Sequence, residues 1–298
     1  MKKSLLILLP LLALVSCDGE PIKESKTFVG GKTVSAATLN LGRTTYLEYC
    51  VQCHGFEGKG DGPSSKGLIP PPRNLTQGLY KFANVPYGEV PHDTDFYRII
   101  RGGLKGSAML QWDISDERMD AVTQYIKTFA PEFWTDGEGK TLGTKYDLPA
   151  DPFGPEKKAE AIALGKKVYH LTAQCTTCHR GYETQNSIVE MSKTTDSPVK
   201  LADMPTDLYL LKNQDGEFNY KVLPPDFTYH ELRSITDMES IVQRIMYGVT
   251  GSGMPGWKDV ITDEEIWASA YYVDSLRALK KDPAARKELL KTLDNQTK

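Results

Sequence analysis

Two short stretches of the chain carry the residues best suited to chemistry. Residues 50–54 read Cys-Val-Gln-Cys-His, and residues 175–179 read Cys-Thr-Thr-Cys-His. Two thiols one helical turn apart can form thioethers with the two vinyl groups of one porphyrin, while the adjacent imidazole faces the iron. The spacing therefore predicts two covalently bound haem c groups, one held by Cys50, Cys53 and His54 and the other by Cys175, Cys178 and His179.

Other uses of paired cysteines fit the pattern less well. Zinc-binding pairs normally recur within about 20 residues, whereas these motifs begin 125 residues apart and each carries its own histidine. A redox disulfide is the other alternative for a Cys-x-x-Cys pair. The chain has five cysteines, so only Cys17 lies outside the motifs and no pair is left for a structural disulfide.

The N-terminus accounts for Cys17. Two lysines precede an apolar run over residues 5–15, which is too short to span a bilayer and predicts an export signal at residues 1–16. Leu14–Cys17 resembles the bacterial lipobox, in which the cysteine receives diacylglycerol. The alternative is that Cys17 is discarded with a signal cleaved elsewhere. We expect a protein of the periplasm or of the outer face of a bacterial membrane, anchored through Cys17.

Charge and length limit the classes of function and the number of domains. The chain carries 36 basic and 39 acidic residues, a formal net charge of −3, and loss of the leader removes two of the lysines. Such a chain has no electrostatic basis for binding nucleic acid. Residues 17–37 lack hydrophobic periodicity and predict a flexible lipidated tether. The length predicts about two domains, which we place at 38–134 and 158–282 with a Gly- and Pro-rich linker at 135–157.

The first domain must deliver its motif on a helix. Asn40 is a candidate N-cap for a helix that runs into Cys50. The glycine-dense loop at residues 55–63 would let backbone lie close against a flat macrocycle. Haem-ligating histidines usually donate their second N–H to a carbonyl or carboxylate. We assign that role to the carbonyl of Pro72, the alternative being a stiff loop without it.

A second iron ligand is expected downstream of each motif. Met109 lies in a loop of small residues, where an extended thioether could reach the open face of an iron, and Met254 lies in a matching loop. In both loops a tryptophan follows three residues after the methionine. Ser115 is then a candidate cap for an apolar-faced helix, and Thr262 with Glu265 forms a capping box before the last helix of the second domain.

The second domain repeats the order of the first with one insertion. Residues 182–222 add a polar, turn-rich segment with an apolar patch at 208–211, which we interpret as a docking or haem-shielding loop, with simple decoration as the alternative. His170 precedes its motif by five residues and is expected on a helix surface. The tail at 283–298 is charged and predicts a solvated helix end.

With these motifs present twice, residues 38–280 resemble a dihaem c-type cytochrome of two fused class I cytochrome c domains, of the bacterial lipoprotein type. The resemblance implies an all-α fold with little or no β structure. In each domain the N- and C-terminal helices are expected to cross at a small residue, here Gly42 and Gly165. It also implies two protein ligands for each iron: His54 with Met109, and His179 with Met254.

The implied function is outer-sphere transfer of single electrons between redox proteins such as an oxidase, a reductase or a dehydrogenase, without catalysis. Methionine and histidine ligation raises the potential of a haem. The competing class is an enzyme, the dihaem peroxidase, which reduces hydrogen peroxide and needs one iron without its distal ligand. A methionine in both domains argues against it, although His92 and His230 are alternative ligands. A free carrier and a relay subunit of a membrane complex both fit the sequence.

Overall fold

The computed structural model describes residues 20–135, 140–216 and 220–295. The predicted export signal and Cys17, the predicted site of the lipid anchor, fall outside these residues. Within them, no helix is long and apolar enough to cross a membrane. The helices are α1 (Ala36–Tyr49), α2 (Val51–His54), α3 (Asp93–Gly102), α4 (Asp116–Lys127), α5 (Pro131–Trp134), α6 (Lys158–Lys167), α7 (Gln185–Ser192), α8 (Met238–Tyr247), α9 (Asp263–Ala278) and α10 (Pro283–Asp294).

Strands contribute little in the described ranges. Two short antiparallel hairpins pair β1 (Lys26–Phe28) with β2 (Lys32–Val34) and β3 (Gln214–Asp215) with β4 (Lys221–Val222). The all-α prediction is therefore confirmed. Single 3₁₀ turns cover Pro63–Ser65, Leu75–Gln77, Pro155–Lys157, Cys175–Thr177, Leu201–Asp203 and Leu279–Lys281, and a π turn covers Val168–Thr172.

The helices form two units with separate apolar cores, a first unit (residues 20–135) and a second unit (residues 155–295). In the first unit α1 crosses α4, and in the second α6 crosses α9. The crossings use Gly42 and Gly165, as the resemblance implied. A Cβ atom at Gly42 would lie 2.8 Å from Tyr125 Cβ, and one at Gly165 would lie 2.7 Å from Tyr272 Cβ. Only glycine allows these helices to approach so closely.

The predicted tether is replaced over part of its length by a packed hairpin. Phe28 and Val34 are 2% and 3% exposed, and the Val29 amide donates to the Trp134 carbonyl at 2.8 Å. Helix α1 accordingly begins earlier than expected, because Ser35 caps it by accepting from the Thr38 amide at 3.1 Å. The prediction of flexible chain up to residue 37 was therefore wrong. The apolar side chains of Phe28, Val29 and Val34 are sufficient to bury one side of the hairpin against the first unit.

Asn40, the expected N-cap, instead lies inside α1. Its side chain accepts from the Ile22 amide at 2.9 Å and donates to the Ile22 carbonyl at 2.8 Å. Asn40 thus fixes the chain to the first unit at Ile22, and Arg43 donates to the Glu20 carbonyl at 3.0 Å. By contrast, Ser115 caps α4, and Thr262 with Glu265 forms the capping box of α9, as predicted.

A buried arginine joins the two units. Arg244 on α8 donates to the Phe82 carbonyl at 3.1 Å, the Ala83 carbonyl at 3.3 Å and the Asn84 side-chain oxygen at 2.9 Å. The residue is 8% exposed, and burial lowers the pKa of Arg244 to about 9, which leaves it charged at neutral pH. Its charge is held by neutral oxygens of the first unit, so the two units are tied by directional bonds.

The linker lies against the second unit and the first. The Gly143 amide donates to the Val90 carbonyl at 2.8 Å, and the rings of Tyr146 and Tyr247 stack with centroids 5.2 Å apart. Further along, the Trp267 indole donates to the Pro149 carbonyl at 3.0 Å. Over residues 140–151 the linker is thus a bound strap that contacts both units.

The insertion and the C-terminal tail form a small cluster of their own. Helix α7 lies within the insertion, and its Ile188 packs with Leu208 and Tyr209 against Leu293 of α10, which is 0% exposed. Most side chains of α10 are solvated, as predicted, but the prediction did not include the docking of this helix through Leu293. Leu210 and Leu211 of the same apolar patch remain 58% and 39% exposed.

Candidate haem sites

The two attachment motifs have the same backbone geometry. The His54 amide donates to the Cys50 carbonyl at 2.9 Å, and the His179 amide donates to the Cys175 carbonyl at 2.8 Å. In each case both cysteines and the histidine occupy one turn, as attachment to a single porphyrin requires. All six side chains, Cys50, Cys53, His54, Cys175, Cys178 and His179, are partly exposed.

A buried tyrosine holds the chain just beyond each motif. The Tyr46 hydroxyl donates to the Gly55 carbonyl at 2.8 Å, and the Tyr169 hydroxyl donates to the Arg180 carbonyl at 2.9 Å. Each tyrosine lies four residues after the glycine of the helix crossing and each acceptor directly follows the haem histidine. Sequence reasoning missed this pair, although the repeat of tyrosine four residues after glycine was a signal for it.

Two extra residues separate Tyr169 from its motif, and the π turn at Val168–Thr172 absorbs them. Gln174 then adopts a left-handed conformation with φ 46° before Cys175. His170 lies inside the turn and is 6% exposed, with Nδ1 bonded to the Lys166 carbonyl at 2.8 Å and Nε2 accepting from the Tyr182 amide at 3.2 Å. The prediction of a surface histidine was wrong because the π turn rotates it inward.

The carbonyl that orients His54 belongs to Arg73. His54 Nδ1 lies 3.0 Å from that oxygen, and since a carbonyl only accepts, the nitrogen carries the proton. The assignment to Pro72 was wrong by one residue, because the Pro72 carbonyl faces the glycine loop, where a Cβ at Gly60 would lie 2.6 Å from it. Burial lowers the pKa of His54, which favours the neutral imidazole that binds metals.

An Asx turn presents this carbonyl. The Asn74 side chain accepts from the Thr76 amide at 3.0 Å and from the Thr76 hydroxyl at 2.7 Å. These bonds fix the backbone immediately after Arg73. The local reason is that short Asn side chains form such turns with the residue two positions on.

The second site has the same turn with a different residue. Pro225 occupies the position of Arg73, and its carbonyl lies beside His179, but Nδ1 of that ring is buried without a hydrogen-bond partner of good geometry. The ring of Phe227 stacks on His179 at a centroid distance of 4.9 Å. Burial lowers the pKa of His179 to about 4, so this imidazole too is neutral at pH 7. Asp226 stands where the first unit has Asn74.

The two methionine loops share one set of bonds. The Leu104 amide donates to the Met109 carbonyl at 2.9 Å, and the Val249 amide donates to the Met254 carbonyl at 3.0 Å. Glycine precedes each of these amides with φ near 60° to 72°. The two loops therefore close around their methionines in the same way, and both methionine side chains are partly exposed.

A serine and a tryptophan brace each loop. Ser107 donates to the Leu104 carbonyl and Ser252 donates to the Val249 carbonyl, both at 2.7 Å. After the methionine, the backbone amide of the tryptophan bonds back to the preceding helix: Trp112 to Ile100 at 3.1 Å and Trp257 to Ile245 at 3.0 Å. The sequence pattern of methionine followed by tryptophan thus marks one structural device used twice.

The glycine loop after His54 has a different use from the one expected. A Cβ at Gly58 would lie 2.8 Å from the Phe129 ring, and one at Gly62 would lie 2.6 Å from the Gln52 carbonyl carbon. The small residues are required by contacts within the protein. The expectation that they serve only the approach to a macrocycle was therefore too narrow.

The two alternative histidines are engaged in structural bonds. His92 Nε2 bonds to the Gly143 carbonyl at 2.8 Å, and the His92 amide donates to the Asp95 side chain at the start of α3 at 3.0 Å. His230 Nδ1 accepts from the Asp226 amide at 2.9 Å. Both bonds hold loops in place. The His92 bond occupies Nε2, the nitrogen that a haem iron usually binds, whereas the His230 bond occupies Nδ1.

The site chemistry fits haem better than the alternatives for paired cysteines. Burial raises the pKa of Cys50 and of Cys175 to about 12, with a smaller effect of the neighbouring cysteine, whereas redox-active pairs have a lowered thiol pKa. Over the described ranges no group of three or more His, Cys, Asp or Glu side chains could hold a metal ion by itself. Protonated cysteines, a neutral histidine and a loop-borne thioether match a porphyrin-bound iron.

Comparisons with known proteins agree with this chemistry. The family described as cytochrome c matches residues 39–130, and the family described as cbb3-type cytochrome c oxidase subunit III matches residues 160–273. Among solved structures, a chain of the reducing HAO-like protein complex of Kuenenia stuttgartiensis is similar, with 30% sequence identity and a TM-score of 0.61. That match covers 79% of this chain and 95% of the other. A comparison with curated proteins finds no match.

Proposed function

Because the chain belongs to the c-type cytochromes and its cytochrome c domains serve electron transfer, we propose that it is a dihaem electron carrier that works outside the cytoplasm. One haem c is bound at Cys50, Cys53 and His54, and the other at Cys175, Cys178 and His179. The observation that carries the proposal is the repeated methionine loop, since both units hold a thioether in the same hydrogen-bonded turn.

Each residue has a defined task at its haem. A bound haem supplies a one-electron iron couple. The cysteines hold the porphyrin, and the Arg73 carbonyl holds the His54 ring in the tautomer that leaves Nε2 free for iron. Met109 and Met254 would each supply a thioether ligand to an iron, and thioether ligation favours the ferrous state. The fixed loops limit reorganisation when the charge of the iron changes.

The same ligand set makes the protein a carrier and not a catalyst. A peroxidase must offer peroxide an iron with one open position, which requires a unit without its distal ligand. Here the two methionine loops are alike in their bonds. We therefore expect neither iron of the resting oxidised protein to bind cyanide or peroxide at low concentration.

Haem content and ligation are tested together. A pyridine haemochrome assay is expected to give two haems per chain, retained after acid and organic extraction. The oxidised protein should show the weak far-red sulfur-to-iron charge-transfer band, and Met109→Ala and Met254→Ala should each remove about half of it. Met191→Ala, a methionine of the insertion helix, is the control and should leave the band intact. One haem per chain would contradict the proposal.

If neither Met109→Ala nor Met254→Ala changes the band, another residue must be the second protein ligand of the iron. In that case His92→Ala and His230→Ala become the decisive variants. Catalytic turnover of hydrogen peroxide by the wild-type protein would favour the peroxidase.

We further propose that Cys17 carries a lipid and holds the first unit close to a bacterial membrane. The first unit already binds the chain at Ile22 through Asn40. The five residues from Cys17 to Ile22 span at most about 18 Å when fully extended. The units therefore work within a short distance of the bilayer and do not swing over a long tether.

The partners are redox proteins. The similar chain from Kuenenia stuttgartiensis belongs to a protein complex, and a short anchor favours partners that sit at the same membrane. Cys17→Ser is expected to release a haem-loaded protein into the soluble fraction, while Ser16→Ala, the adjacent control, should stay with the membrane. Membrane retention of Cys17→Ser would indicate instead a relay subunit held by a tight complex.

A further inference from the structure

The two haem sites differ in the charged residues around one turn. The turn that presents the histidine-facing carbonyl contains Arg73 and neutral Asn74 in the first unit, and Pro225 and Asp226 in the second. Both side chains accept bonds from a threonine two residues on, Thr76 and Thr228, so the turn is the same. The charge is therefore not needed for the turn itself.

Asp226 is surrounded by donors that the first unit lacks. It is 3% exposed and accepts from the Tyr182 hydroxyl at 3.2 Å. Arg180, the residue after the haem-ligating His179, lies 3.5 Å away. Burial alone would raise the pKa of Asp226, but the bonds from Thr228 and the charge of Arg180 outweigh it and lower the pKa. The carboxylate is ionised at neutral pH.

The second cation comes from the far end of the chain. Arg286 of α10 lies 3.4 Å from Asp226 and donates from Nε to the Thr228 hydroxyl at 3.0 Å. Its guanidinium also lies over the Tyr229 ring at 5.0 Å. Helix α10 is anchored independently by the buried Leu293. The C-terminal helix thus delivers a fixed positive charge to the loop beside His179.

We propose that α10 is a tuning element for the second haem, and that Arg286, balanced against Asp226 and Arg180, raises its reduction potential. The proposal rests on the two-haem function above. Oxidised haem iron carries one more positive charge than reduced iron. A nearby cation therefore favours reduction and a nearby anion favours oxidation. The effect is stronger than in bulk water because Asp226 and Arg180 are largely buried and Arg286 is half-buried.

The charges of Asp226, Arg180 and Arg286 do not cancel. One carboxylate faces two guanidinium groups, so the three side chains together carry one positive charge. The matching turn of the first unit has Arg73 beside neutral Asn74. The second site differs because one of its cations, Arg286, comes from a separate helix. Arg286 and Asp226 are positioning residues, because they act through the charge near the iron and the orientation of the loop, not through contact with an electron partner.

The test is a spectroelectrochemical titration of the full-length holoprotein with two one-electron components. Arg286→Gln is expected to shift the second haem towards oxidation by about threefold in the ratio of reduced to oxidised form at a fixed potential, about 28 mV for a one-electron couple. Asp226→Asn keeps the turn and should shift the same haem in the opposite direction. The component that changes in Met254→Ala identifies the second haem.

Two controls isolate the charge from the helix. Lys287→Gln removes the same charge from the next, exposed position of α10 and should move neither midpoint. Asn74→Asp introduces a carboxylate at the matching turn position of the first unit and should shift only the first haem towards oxidation. The double variant Arg286→Gln with Asp226→Asn should return the second midpoint towards that of the wild type.

The outcomes separate this inference from the function on which it rests. Two haems per chain with unchanged midpoints in Arg286→Gln overturn the tuning role alone. An equal shift in Lys287→Gln, or a shift confined to the first haem, also overturns it. One haem per chain overturns the dihaem proposal before any midpoint is compared.

Discussion

Replacement of Gly42 by alanine is expected to destabilise the first unit even though alanine is the better helix former. A Cβ there would lie 2.5 Å from the Ala121 carbonyl carbon and 2.8 Å from Tyr125 Cβ. Carbon atoms in good contact are about 3.5 to 4.0 Å apart, so α1 and α4 would have to separate by about 1 Å. Overpacking of this kind costs about 1 to 3 kcal/mol. We expect a cost near the upper end, because the closest atoms belong to the Ala121 backbone, which cannot rotate away as a side chain can.

The opposing contribution is smaller. Glycine to alanine in a helix interior stabilises by about 1 kcal/mol through backbone entropy. The net effect is a loss of about 2 kcal/mol, which for a domain of this size lowers the melting temperature by about 10 °C. The helix that delivers the first haem motif would loosen, so the first haem should also become more accessible to exogenous ligands.

The assay is thermal unfolding of the holoprotein followed by far-UV circular dichroism. Gly102→Ala is the matched control, because Gly102 is helical and a Cβ there would meet nothing within 4 Å. The control should melt at or above the wild-type temperature. If Gly42→Ala melts with the control, the close crossing does not govern the stability of the first unit and the reasoning is refuted.

Three further predictions concern contacts that only the folded chain reveals. Arg244→Met should weaken the tie between the units by about 3 kcal/mol, since it leaves buried oxygens without donors, and limited proteolysis of the linker should accelerate. Burial lowers the pKa of His170 to about 4, so stability falls as the pH drops from about 6.5 towards 4, and His170→Gln should remove up to about 3 kcal/mol of that dependence in acid denaturation. Leu293→Ala should cost about 2 to 5 kcal/mol in urea unfolding of the second unit, and an unchanged midpoint would mean that α10 is not docked in solution.

The sequence by itself determined the parts of the sites that depend on local spacing. The spacing of a Cys-x-x-Cys-His motif places both cysteines and the histidine within about one helical turn. The two motifs share the same backbone hydrogen bonds. The methionine loops and the glycines at the helix crossings were also readable, because each element occurs twice in the same order. The N-cap at Ser115 and the capping box at Thr262 were local signals as well.

Only the tertiary structure decided which distant groups meet these motifs. The carbonyl that holds His54 belongs to Arg73 because the adjacent proline carbonyl is turned towards Gly60, and a one-residue choice of this kind has no signature in composition. The hairpin at Lys26–Val34 and helix α10 looked polar because most of their side chains are exposed. Their attachment depends on a few buried side chains, among them Phe28 and Leu293, that pack against surfaces more than 80 residues away in the sequence. Docking energy of that sort is a property of two surfaces together, so neither segment of sequence encodes it alone.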